Sequence, residues 1–142
     1  MAIFVIAGCS FPRDPEKSYD RAGAASLLVG VAVNPPHTTF EDGKAGGREV
    51  ELLREFAAAN DLKITFREGS ESVLIEKLKN YELHILAGGF DKKTIWEKDA
   101  GTTVTYDKQH LFLIPRGENK LLQKLETFIL QNPAYHEGNQ GL

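Results

Sequence analysis

Apolar residues recur along the chain at two different spacings, and the change between them predicts where strands and helices alternate. Short runs rich in valine and isoleucine are typical of strands buried on both faces, whereas apolar residues three and four apart are typical of helices. Strict alternation, as in Leu62–Arg67, is typical of a half-buried strand. The predicted elements are strand 28–33, helix 48–60, strand 62–67, helix 73–80 capped by Ser70 or Ser72, and strand 83–87, which ends at Gly88 and Gly89.

The second half of the chain predicts shorter elements with less regular spacing. The pattern favours a loop with one or two helical turns over 90–100, strands 102–106 and 111–114, and a helix over 120–130 that Asn119 caps and that buries Leu122, Leu125 and Ile129.

This order of elements predicts an α/β fold, a three-layer α/β/α sandwich with a mostly parallel sheet. Right-handed crossovers bring the carboxyl ends of parallel strands to one edge of the sheet. The chain leaves the sheet at Asn34-Pro35-Pro36 because proline cannot donate to a strand ladder. We therefore expect loops 34–40 and 88–96 to lie side by side at that edge, where open α/β sheets bind ligands.

The two loops supply the candidate ligand contacts. Glycine lets a ligand approach the backbone, aromatic rings offer flat apolar walls, and a lysine offers a positive charge to an anionic group. Each also has a simpler structural explanation, since loop aromatics often pack on the local core and Lys92-Lys93 suits a solvated pair. The candidates are Asn34, His37, Phe40, Gly88, Gly89, Asp91, Lys93 and Trp96.

Composition argues against several classes of partner and site. The 142 residues suit one domain, and 17 basic against 20 acidic residues are scattered, which argues against a nucleic-acid partner. No apolar run reaches the roughly 18 residues of a membrane span. One cysteine allows no intrachain disulfide, and four separated histidines predict no metal site; we expect no cofactor either.

The N-terminal sequence has two structural interpretations. Ile6-Ala7-Gly8-Cys9 resembles the lipobox of bacterial lipoproteins, in which the cysteine carries lipid. Only eight residues precede Cys9, and they include no positive charge. Alternatively, residues 1–9 form a first strand that holds a buried cysteine; chance similarity is the third explanation.

A family resemblance begins at Gly47-Arg48-Glu49-Val50-Glu51-Leu52. This stretch is similar to the Gly-x-Asp/Glu-aliphatic-Asp/Glu-aliphatic signature of the family 3 extracellular solute-binding proteins of ABC uptake systems. Val29-Gly30-Val31 with the following loop, and Leu83–Gly89, are similar to that family's first and third strands. The resemblance runs from about residue 27 to about residue 130.

Three departures qualify the resemblance. Arg48 replaces an aromatic or aliphatic residue of the signature, and residues 91–96 lack the arginine with which relatives grip an amino-acid carboxylate. We expect the second lobe of the family to be absent, because strand 111–114 and helix 120–130 follow strand 102–106 almost at once. The resemblance therefore implies one lobe of a type II periplasmic-binding-protein-like fold, as in short single-lobe lipoproteins.

The combined prediction is a lipid-anchored module on the periplasmic or extracellular face. Its domains are a signal remnant (1–9), a polar tether (10–26), the lobe (27–131) and a flexible tail (132–142). We expect it to bind a small ligand weakly or to dock on a membrane transporter or sensor, with a homodimer as a further candidate.

Two alternatives remain. The lobe is a ligand-less interaction protein, or, less favoured, an enzyme. The enzyme interpretation lacks a nucleophile motif, and Glu49 and Glu51 are two apart on a helix, which points their side chains about 200° apart and prevents a shared substrate.

Overall fold

A computed structural model describes residues 15–132. The predictions for Cys9 and residues 1–14, and for the tail beyond residue 132, lie outside these residues. The helices are α1 (Ser18–Ala24), α2 (Arg48–Ala59), α3 (Glu71–Lys79) and α4 (Asn119–Leu130), with a 3₁₀ helix at Ile95–Lys98. The strands are β1 (Leu27–Val31), β2 (Thr39–Glu41), β3 (Lys44–Gly46), β4 (Ile64–Glu68), β5 (Ile85–Asp91), β6 (Gly101–Thr102) and β7 (His110–Ile114).

Five of these strands form one sheet in the order β4-β1-β5-β7-β6. β1 lies parallel to both β4 and β5, with Val29 opposite Phe66 and Ile85. β7 runs antiparallel to β5 and β6, and β2 and β3 form a separate hairpin. The first and third predicted strands, β1 and β5, are therefore neighbours.

Apolar cores cover both faces of the sheet, which confirms the α/β/α sandwich. On one face, Val29 and Val31 of β1 join the buried residues of α1, α2 and α4. On the other, Leu86 and Leu113 pack with α3. Val50, Leu53, Phe56 and Ala57 of α2 are buried as the periodicity predicts. α4 buries Leu121 with Leu125 and Ile129, while Leu122 is only partly buried.

The prediction that the third strand ends at Gly88-Gly89 is wrong. β5 continues to Asp91, and its register against β7 shifts between Leu86 and Phe90. Phe90 is buried opposite Leu111, so the strand keeps a core residue beyond the glycines. Glycines within a strand commonly mark such an irregularity.

Two further element boundaries differ from the prediction. Of the predicted strand 102–106, only Thr102 is in a strand, which spans Gly101–Thr102. The Thr103 hydroxyl accepts the N–H of Phe112 (3.1 Å) and replaces a ladder bond. Asn119 is the first residue of α4 and not its cap; the N-cap position belongs to Glu118, whose side chain makes no cap hydrogen bond to α4.

Part of the predicted tether is folded against the lobe. The buried Glu118 carboxylate accepts the N–H groups of Glu16 (3.0 Å) and Ser18 (2.6 Å), so it holds the start of α1. Because β7 runs antiparallel to β5, Glu118 lies just past the amino edge of the parallel strands. The domain boundaries themselves stay a prediction.

His84 supports the backbone of β1. Its side chain is buried, and Nδ1 accepts the N–H of Leu28 (2.9 Å). Burial lowers the pKa of the imidazole to about 4, and Arg21 contributes to the same shift.

Candidate solute-binding edge

The loop after β1 lies directly against β5 at the carboxyl edge of the sheet. The Asn34 side chain donates from Nδ2 to the carbonyl of Gly88 (2.9 Å). The loop is closed internally by the Thr38 hydroxyl, which donates to Ala32 (2.6 Å) and accepts the N–H of Asn34 (2.8 Å). Residues 34–38 therefore lie beside residues 88–89 as predicted, although Gly88 and Gly89 belong to β5 and not to a loop. The contact brings Asn34, His37, Gly88 and Gly89 together.

Gly89 is required by this contact. Its φ is +68°, a region that side chains rarely adopt. A Cβ at this position would lie 2.5 Å from Asn34 Nδ2 and 2.8 Å from His37 Cδ2. The loop therefore packs against the backbone of β5, and Asn34 and His37 fill the space beside Gly89.

The Glu49 carboxylate of α2 stabilises this edge through hydrogen bonds. It lies in the first turn of α2 and is fully buried. One carboxylate oxygen accepts the N–H groups of Gly88 (3.0 Å) and Gly89 (3.1 Å), and the other accepts the Tyr106 hydroxyl (2.7 Å). A single carboxylate thus joins α2, β5 and the connection between β6 and β7.

Polar and aromatic groups of that connection extend the cluster. Asp107 Oδ2 contacts both His110 Nδ1 (2.8 Å) and an Arg48 nitrogen (3.2 Å). The Arg48 guanidinium also lies over the Tyr106 ring, 5.3 Å from its centroid. The His37 and His110 ring centroids are 4.2 Å apart at an interplanar angle of 44°.

Burial sets the protonation behaviour of the cluster. It raises the pKa of the Glu49 carboxyl, an effect that the hydrogen bonds from Tyr106, Gly89 and Gly88 oppose. Burial also raises the pKa of the Tyr106 hydroxyl, and the adjacent Glu49 raises it further. Partial burial alone would raise the pKa of Asp107, but hydrogen bonds from the His110 and Gln109 backbone and from the His110 side chain hold it below its usual range.

The remaining candidate ligand contacts lie on different surfaces of the lobe. Phe40 packs against the core that contains α2, whereas Trp96 packs against the α3 core and donates to Glu71 (2.9 Å). These two rings lie on opposite faces of the sheet and do not form facing walls. Asp91 accepts the N–H of Lys93 (2.9 Å), and the Lys93 side chain is exposed.

Sequence reasoning missed the members of the cluster that lie far apart in the chain. Tyr106 is 57 residues from Glu49, and no local pattern joins them. The available signal for Glu49 was the resemblance itself, because this residue is the first acidic position of the family signature. Among residues 15–132, no group of three or more His, Cys, Asp or Glu side chains is placed to hold a metal ion.

Most of the chain matches a known protein family. The family model of bacterial extracellular solute-binding proteins, family 3, matches residues 27–140. The chain belongs to this family. As a family 3 solute-binding protein domain, it carries the family fold as one lobe, and the resemblance inferred from the signature is confirmed.

Solved structures show the same fold. The arginine-bound Phe57Trp mutant of domain 1 of TmArgBP is similar over 82% of this chain and 98% of its own, with 18% identity and a TM-score of 0.74. The ancestral amino acid-binding protein AncCDT-1, a precursor of cyclohexadienyl dehydratase, is similar over 84% and 96%, with 11% identity and a TM-score of 0.72. A lysine-complexed binding component of an ABC transporter from Wolinella succinogenes shares 24% identity over 56% of this chain and 35% of its own, with a TM-score of 0.52.

No curated protein shows significant sequence similarity to this family 3 domain. Within residues 15–132, no helix is both long and apolar enough to cross a bilayer.

Proposed function

We propose that this chain binds a small solute at the carboxyl edge of its sheet, on the surface formed by loop 34–38 and Gly88-Gly89. The observation that carries the proposal is the contact of Asn34 with Gly88 (2.9 Å), which joins the loop after β1 to β5 at the edge where open α/β sheets bind ligands. The arginine-bound domain 1 of TmArgBP supports it, because that similar single domain holds a ligand.

The expected affinity is low. Tight small-molecule sites bury about 70–90% of the ligand surface. Residues 15–132 form one lobe, which supplies one wall of such a site, so a bound solute keeps much of its surface in water. A second chain, as a transporter, a sensor or another copy of this chain, would complete the site.

The chemistry of the edge favours a ligand with polar groups. Asn34, His37 and the backbone around Gly89 offer hydrogen-bonding groups, and the exposed Lys93 suits an anionic group. Residues 90–96 contain no arginine, so we do not expect the ligand to be held through an arginine–carboxylate pair there.

The cellular setting belongs to the same proposal. We place the lobe on the periplasmic or extracellular face, tethered through lipid on Cys9. Membership of an extracellular family supports the compartment. Lipid attachment rests on Ile6-Ala7-Gly8-Cys9 alone, and mass spectrometry of membrane-extracted protein tests it.

A binding screen tests the central claim. Thermal-shift and calorimetric titrations with L-arginine, L-lysine, hydroxyectoine and a solute library should identify a weak ligand whose binding is reduced in the Asn34→Ala and His37→Ala variants. Asn80→Ala is the matched control, because Asn80 is the exposed C-cap of α3 at the opposite edge. A ligand that binds all variants equally would show that the site is elsewhere.

A second candidate function is protein docking without a ligand. Ile95 in the 3₁₀ helix is 76% exposed, and Val33 in the loop after β1 is 46% exposed. This alternative predicts that no solute binds and that Ile95→Asp abolishes capture of a membrane partner. A catalytic role is not proposed; turnover abolished by Asp91→Ala or His37→Ala would contradict that position.

A further inference from the structure

The His37 ring occupies a place that favours its neutral form. Its Nδ1 atom is buried and has no hydrogen-bond partner among residues 15–132. A proton on that nitrogen would create a buried N–H⁺ donor with no acceptor, which is costly in a protein interior. The ring also packs against His110, with the centroids 4.2 Å apart.

The charged groups around His37 do not compensate a positive charge. Arg48 from α2 and His110 from β7 are basic, and both already contact the Asp107 carboxylate. The Glu49 carboxylate is occupied by Gly88, Gly89 and Tyr106. Burial lowers the pKa of His37, His110 and Arg48 lower it further, and Asp107 opposes the shift.

Backbone hydrogen bonds connect His37 to the other residues of the candidate solute-binding edge. Its carbonyl accepts the N–H of Glu49 (3.0 Å), and its N–H donates to the Asn34 carbonyl (2.9 Å). Asn34 in turn holds Gly88. A movement of the His37 ring away from Gly89 and His110 therefore pulls on the contact that joins the loop to β5.

We propose that protonation of His37 releases loop 34–38 from β5, so that the solute-binding form of this edge exists only while His37 is neutral. The consequence for solute binding rests on the proposed function, whereas the loop movement does not require a ligand. Solute affinity should accordingly fall when the medium becomes mildly acidic.

Amide hydrogen exchange of the ligand-free protein tests the loop movement. Protection of the His37 and Glu49 amides, corrected for intrinsic exchange, should fall severalfold between about pH 7.5 and about pH 5. His84 lowers the global stability over the same interval, because the unfolded chain protonates it while its folded pKa is about 4. Exchange is therefore compared in a His84→Asn background, which lacks this contribution. His37→Phe keeps an aromatic ring without a titrating nitrogen, and its loop protection should be independent of pH. His37→Gln repeats the test if the Phe variant unfolds.

Glu49 requires its own control because its pKa is raised and it also faces Gly89. Glu49→Gln retains acceptor oxygen but cannot titrate, so the pH dependence should persist in it. The proposal is overturned if wild-type protection does not change with pH, or if the dependence survives in both His37 variants. If the loop responds to pH while no solute binds at any pH, the proposed function fails and the proton-sensitive loop stands.

Discussion

The Glu49 carboxylate and the Tyr106 hydroxyl meet at 2.7 Å in the interior of the lobe, 57 residues apart in sequence. The opposite oxygen of Glu49 accepts two backbone N–H groups of β5. The Glu49 side chain therefore joins α2, β5 and the connection between β6 and β7. Its removal affects the foundation of the candidate site as well as the stability of the fold.

Replacement of Glu49 by alanine should lower the free energy of unfolding by about 3–5 kcal/mol, since three donors lose a buried acceptor. Tyr106→Phe removes one of those donors and should cost about 1–2 kcal/mol. Urea denaturation followed by circular dichroism measures both. The control is Glu51→Ala on the same helix, where the side chain is exposed and contacts Arg54 at 3.7 Å; a cost above about 1 kcal/mol there would indicate a general effect on α2.

Gly89→Ala should be more destabilising than Gly43→Ala, although both glycines have positive φ (+68° and +74°). A Cβ at Gly43 meets no atom within 4 Å, so its cost is the backbone strain of about 1–2 kcal/mol. A Cβ at Gly89 additionally collides with Asn34 and His37. The difference between the two unfolding free energies, with loss of the Asn34–Gly88 contact by NMR, measures the packing of the loop; equal costs would contradict this packing.

Stability should fall as the pH decreases from the ordinary histidine pKa of about 6.5 towards the pKa of about 4 of His84. In that interval the unfolded chain binds a proton on this residue and the folded chain does not. The free energy of unfolding therefore falls by up to about 3 kcal/mol at the acidic end. His84→Asn keeps an acceptor for the Leu28 N–H and should remove this part of the pH dependence. Thermal melts across the interval measure it, and an unchanged slope in the variant would assign the effect to another group.

Glu118→Ala should detach α1 from the lobe. The variant deprives the Glu16 and Ser18 N–H groups of their acceptor, at a cost of about 1–2 kcal/mol. Amide exchange within Ser18–Ala24 should accelerate while exchange in β5 stays slow. Glu97→Ala, at an exposed position of the 3₁₀ helix, is the control; unchanged α1 protection in Glu118→Ala would show that other contacts hold the helix.

Local periodicity was sufficient for the main strands and helices from β1 to α4, because each carries its own apolar pattern. It missed α1 and the β2–β3 hairpin, which are short. It was insufficient at Gly88-Gly89, where glycine weakens a strand locally but Phe90 continues it through a distant partner, Leu111. It was also insufficient at 102–106, where a side-chain hydroxyl of Thr103 takes over a backbone bond.

The candidate site was partly predictable for the same reason. Topology alone placed Asn34, His37, Gly88 and Gly89 at one edge. It could not show that Trp96 and Phe40 pack on opposite faces. Nor could it distinguish Glu49 from Glu51, since both are acidic residues in a first helical turn and only tertiary contacts bury one of them.

The attachment of α1 by Glu118 has a practical consequence for experiments. Residues entering α1 join the lobe beside the end of β7, across the sheet from Asn34 and Gly89. A bead, sensor chip or vesicle linked to the chain upstream of α1 would hold the molecule by its far side. The surface with His37 would then face the bulk liquid, where an injected compound or a second protein can reach it.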